Sequence, residues 1–174
     1  LMDIKRDKYL NDLINRMHNG MVKVITGIRR CGKSYLLFHI FQNYLLKQDI
    51  PASHIITIEL DQRKNRKYRE PDTILDYIES LITDNAPYYI LLDEVQMLQD
   101  FEEVLNSKFL SKDVITEFRG RGDEIHIFPL TFKEFMEAYD GDIYHGWAEY
   151  IVYGGLPLTV TMKTEEQKIN YLTN

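Results

Sequence analysis

A glycine, four residues and then Gly-Lys-Ser run from Gly27 to Ser34. Two glycines let the backbone curl so that successive amides point inward at phosphate oxygens. A helix beginning near Lys33 aims its positive end at the same place. The Lys33 ammonium then reaches the β- and γ-phosphates, and the Ser34 hydroxyl ligates Mg²⁺. The pattern predicts a nucleotide-phosphate site contacted by Gly27, Arg30, Cys31, Gly32, Lys33, Ser34 and Tyr35. The alternative is a glycine-rich turn with no ligand, and an apolar strand before it with a helix after it argues against that. Arg29 and Arg30 either contact phosphate or brace the loop against acidic neighbours, and bracing is the preferred reading. Cys31 faces the positive end of a helix, which lowers a thiol pKa, but a small space-filling role is preferred.

The second chemical feature is Asp93-Glu94, which ends the apolar run Tyr88 to Leu92. A buried strand that stops in two carboxylates places them at the C-terminal edge of a parallel sheet, where open α/β sheets bind ligands. Asp93 is expected to hold Mg²⁺ through water. Glu94 is expected to polarise an attacking water as general base. Capping of the next turn by the acidic pair is the plainer alternative. Gln96 is placed to orient water or relay nucleotide state, and a structural amide in a turn explains it equally well.

These residues need strands and helices to position them. Residues 7–18 show a helical face, and 21–26 read as a strand. Leu36, Leu37, Ile40, Phe41, Tyr44 and Leu45 repeat at helical spacing behind the loop. Residues 54–60 are the second strand, and Pro71 opens a helix with Ile74, Leu75, Ile78, Leu81 and Ile82 inward. Residues 125–128 suggest another strand. Thr131 with Glu134, and Thr164 with Gln167, fit capping boxes. Strands alternating with helices predict an α/β fold with a mostly parallel sheet.

The bulk composition is that of an ordinary globular chain. It has 174 residues, 44% hydrophobic and 28% charged, with a formal net charge of −6. An acidic chain is not a general nucleic-acid coater. The basic run Arg63, Lys64, Arg66, Lys67 and Arg69 could grip nucleic-acid phosphates, but a solvated loop is preferred. A single cysteine excludes an internal disulfide, and no apolar run suits a bilayer. A cytoplasmic protein is expected, with no membrane partner.

Taken together, "VITGIRRCGKSYLL", "YYILLDEVQ", "FRGR", "PLTFKEF" and "YIVYGGLP" resemble a family of bacterial and archaeal AAA+-type P-loop ATPases. The resemblance runs from Ile4 to about Leu172. It implies a three-layer core over 1–128, a small helical lid over 129–174, and ATP bound with Mg²⁺. It makes Gly27, Gly32, Lys33 and Ser34 the Walker A positions and Asp93 and Glu94 the Walker B positions. It implies an arginine near the γ-phosphate, Arg121 in preference to Arg119, supplied in trans within a homo-oligomer; a solvated turn explains both arginines equally well. Arg6 and Tyr9 precede the first strand, where many such proteins place the adenine. Gly154 to Pro157 either closes one side of the cleft or acts as a hinge or packed turn. Family members carry a further C-terminal domain, which is not expected within 1–174.

One departure from the family pattern stands out. A core of this kind needs a strand after Asp93-Glu94, lying between the Walker A and Walker B strands. The residues from Phe101 through Asn106 and Ser107 to Leu110 do not read as one. A sheet without it would expose two interior edges. The expectation is a lost segment at a seam between Leu105 and Lys108, and an intact mass above 20.7 kDa. Three activities remain open: an ATPase, a nucleotide-gated switch with little turnover, and a small-molecule kinase. Glu94 favours the ATPase.

Overall fold

The computed structural model describes residues 4–102, 104, 113–116 and 123–173. Its sheet grows from strands whose residues alternate between two faces. In β1 (Lys23–Thr26) and β3 (Tyr89–Asp93) every residue is buried, as expected of central parallel strands covered on both sides. β2 (Ile55–Glu59), β4 (Asp113–Thr116) and β5 (Asp123–His126) complete it. All pairings are parallel, in the order β2-β3-β4-β1-β5.

One face carries Ile25, Ile55, Tyr89, Leu91 and Ile125. It packs on α1 (Asp7–Arg16) and on the rod that follows the loop. That rod comprises α2 (Lys33–Tyr35), a π-helical stretch (Leu36–Phe41) and α3 (Gln42–Lys47). The opposite face carries Ile56, Ile58, Ile90 and Leu92 against Ile74 and Ile78 of α4 (Pro71–Leu81). Each such side chain, fully buried, contributes about 1.5–3 kcal/mol. The result is the three-layer α/β architecture. In α4, Ile74 and Ile78 are buried, while Leu81 lies at the exposed end and Ile82 beyond the helix.

The slot between β3 and β1 is occupied, which corrects the expectation of an absent central strand. β4 pairs Asp113 to Thr116 with Tyr89 to Leu92, and Ile115 and Thr116 with Lys23 and Val24. β4 thus gives Tyr89 to Leu92 of β3, and Lys23 and Val24 of β1, a neighbour in that slot. The seam residues Asn106 and Ser107 lie outside the described residues.

Beyond β5 the chain turns helical: α5 (Phe132–Ala138), α6 (Ile143–Tyr153), α7 (Pro157–Thr161) and α8 (Glu165–Thr173). Thr131 caps α5 with the reciprocal bonds of a capping box. Gln167 and Thr164 exchange the equivalent bonds before α8. Leu130, Phe135 and Ala138 form a small core that also takes in Ile4. Arg6 ties the N-terminal segment to this region, donating to the Phe128 carbonyl at 2.5 Å and pairing with Glu134 at 3.5 Å. No helix among the described residues is long and apolar enough to cross a membrane.

Candidate nucleotide site

The loop after β1 is shaped by contacts that only glycine tolerates. Gly27 has φ +152°, and a Cβ there would sit 2.5 Å from the Ile127 carbonyl oxygen and 2.8 Å from Cys31 Sγ. Gly32 has φ +100° and starts the rod. Lys33 lies along the loop, its Nζ donating to the carbonyls of Gly27 (3.2 Å) and Ile28 (3.0 Å).

β3 delivers the two carboxylates to the same place. Asp93 is buried, and it accepts from the Ser34 hydroxyl and from the Glu94 N–H at 3.1 Å. Burial raises its pKa above the usual carboxylate range. The Ser34 bond opposes this, and the charges of Glu94 and Asp61 add to it. Glu94 leaves the strand with φ +53°, an uncommon conformation for a non-glycine residue, and it lines the cleft. The Gln96 side-chain amide donates to Glu94 Oε2, so Gln96 orients that carboxylate.

Loop, rod and β3 end share one cleft of about 960 Å³. Its walls include Arg29, Arg30, Gly32, Lys33 and Ser34 from the loop side, and Glu94 and Gln96 from the β3 end. Tyr35 and His39 stack on each other at 5.0 Å along the rod and also line it. Pro157, Leu158, Thr161 and Tyr171 close it from the helical region.

A family model described as an AAA domain matches residues 19–109, just over half of the chain. The chain belongs to this AAA domain family. An uncharacterized protein of Haemophilus influenzae is 30% identical over 192 residues, covering 98% of this chain and 48% of its own length. An uncharacterized protein of Methanocaldococcus jannaschii is 24% identical, covering 94% and 42%. The chain thus spans just under half the length of these curated relatives. A Walker-type ATPase of Pyrococcus abyssi has a similar fold, with TM-score 0.62 and 14% identity, over 99% of this chain and 68% of that one.

Within the AAA domain, two loop residues are held by their neighbours. Cys31 is wholly buried beside Gly27, outside the cleft wall, and burial pushes its thiol pKa up despite Lys33 and Arg6 nearby. It fills space. Arg30, at φ +68°, does brace the loop, and Tyr171 is what it braces against. Its guanidinium donates to the Tyr171 carbonyl and lies 4.2 Å from the centre of the Tyr171 ring. Arg6 and Tyr9 are held by packing: the Tyr9 hydroxyl accepts from the Phe128 N–H at 3.2 Å, and Arg6 lies over the Tyr9 ring. Arg119 and Arg121 lie outside the described residues. In the basic run Arg69 is structural, donating to the Leu60 carbonyl at 2.8 Å.

Sequence reasoning missed His39, Leu158, Thr161 and Tyr171. Only the Gly-Gly-Leu-Pro stretch signalled this side of the cleft. A Cβ on Gly155 would meet the Leu130 carbonyl oxygen at 2.2 Å, so the turn packs tightly and sets Pro157 at the cleft wall.

Proposed function

We propose that this AAA domain binds ATP with Mg²⁺ and hydrolyses it. The observation that carries the reading is the meeting of Lys33, Ser34, Asp93 and Glu94 at one end of the sheet. Loop amides and Lys33 hold the phosphates, with Lys33 exchanging its loop carbonyls for phosphate oxygens. The donor set fits Mg²⁺: a hydroxyl and a buried carboxylate already joined by a hydrogen bond, both hard oxygen ligands. Bound there, the ion neutralises phosphate charge. Glu94, held by Gln96, takes the proton of the attacking water. An arginine supplied by a second copy, Arg121 by preference, completes the site in a homo-oligomer. A cytoplasmic location follows the same reading.

Glu94→Gln tests it. Steady-state phosphate release is expected to fall at least 100-fold while ATP binding is retained. Binding without release from the wild-type chain overturns hydrolysis and leaves the nucleotide-gated switch. ADP formation that needs an added acceptor points to a kinase instead.

A further inference from the structure

α8 enters the cleft through one residue. Tyr171 lies in the last turn of α8, where helix carbonyls lack intrahelical partners. Its carbonyl accepts from the Arg30 guanidinium, and its ring stacks beneath the same group. A cation at this end of a helix is favoured by the aligned peptide dipoles. The pair therefore joins the phosphate loop to the final helix, and both residues line the cleft. The Tyr171 hydroxyl is buried and has no hydrogen-bond partner among the described residues. A buried hydroxyl left unpaired is destabilising, and such groups call for a reason. Its surroundings are cationic: burial pushes the phenol pKa up, and Arg30 and Arg29 oppose that rise. Tyr171 lines the cleft as a residue, and a hydroxyl donor under the influence of two arginines is matched by an anionic oxygen.

We infer that Tyr171 is a nucleotide-contacting residue, its hydroxyl donating to a phosphate oxygen of the bound triphosphate while Arg30 holds α8 against the loop. The inference rests on the ATP-binding reading above. α8 then orders with the nucleotide, because Arg30 has donors enough to bridge the Tyr171 carbonyl and a phosphate together. Nucleotide and helix stabilise each other by the same factor, as linkage requires.

Tyr171→Phe removes the hydroxyl alone and is the test. Without nucleotide, its melting temperature is expected to equal or exceed the wild-type value, since an unpaired buried group has been removed. With Mg²⁺ and ATP, its affinity is expected to fall about 3- to 10-fold, the range of one hydrogen bond. A purely structural tyrosine would not move these two readings in opposite senses. Hydrogen exchange over 165–173 supplies the second measurement: ATP is expected to slow it in the wild type, and not in Arg30→Met. Affinity is read first on the wild-type chain by fluorescent-ATP titration. Absence of wild-type binding overturns the site reading and this inference together. Wild-type binding with equal affinity in Tyr171→Phe overturns this inference alone, as does unchanged exchange of α8.

Discussion

Asp93 is the most constrained group of the site. It is 5% exposed, and burial outweighs its two hydrogen bonds, so its carboxyl titrates above the usual range. A carboxyl raised in this way binds more protons folded than unfolded between its two pKa values. Its contribution to stability is complete below the unfolded value and is lost as pH rises through the folded value. Above the folded value the ionised group is a cost. Asp93→Asn keeps the shape and an acceptor for the Ser34 and Glu94 donors. In the absence of Mg²⁺, calorimetry at a pH above the folded pKa of Asp93 should show a higher Tm than wild type. The difference should close as pH falls through the folded pKa of Asp93. A gap that does not change with pH would show that the charge is not the cause. The same variant should lose the Mg²⁺ dependence of ATP binding.

Elements place these residues, and Gly155 shows how tightly. Leu130 donates its N–H to the Gly155 carbonyl at 2.6 Å, and an added Cβ would strike the Leu130 oxygen. Backbone cannot step aside as a side chain can, so Gly155→Ala is expected to cost about 1–3 kcal/mol. The urea midpoint should fall, with faster hydrogen exchange in α5 to α7 and little change in β1 or β3. An unchanged midpoint would mean the two segments are not packed as described. Such packing is invisible in a sequence, and the elements differ in legibility for the same reason. β3 read as a strand because burial on both faces makes Tyr89 to Leu92 a continuous apolar run. β5 was shifted: the apolar pattern pointed to 125–128, but pairing with β1 begins at Asp123. β4 was missed because four residues beginning with an acid carry no periodicity. Only pairing with β3 and β1 defines it. The loop and the acidic pair were legible because their chemistry is local in sequence. Tyr171 was not, being 141 residues from the Arg30 it touches.

At the scale of the molecule, the sheet and the helical region meet through the N-terminal segment. Arg6 is nearly buried, and it donates to the Phe128 carbonyl, pairs with Glu134 and lies 4.6 Å from the Tyr9 ring centre. It thus contacts α1, the exit from β5 and the first turn of α5. Glu134 also accepts from the Thr131 N–H at 2.8 Å, so its cap survives without Arg6 and α5 itself should persist. What Arg6→Ala removes is one strut between the two parts, the Arg30–Tyr171 contact being another. Breaking one side of a buried ion pair costs about 3 kcal/mol, and the loss should fall on the docking of the helical region. The chain has one tryptophan, Trp147, seated in α6 against Phe132 at 4.9 Å. Tryptophan fluorescence therefore reports the helical region alone, whereas far-ultraviolet circular dichroism reports the whole backbone. In the wild type the two thermal transitions should coincide, as in a single cooperative unit. In Arg6→Ala the fluorescence transition should move to lower temperature and separate from the dichroism transition. Transitions that stay together in the variant would show that the cleft's two walls are coupled by other contacts.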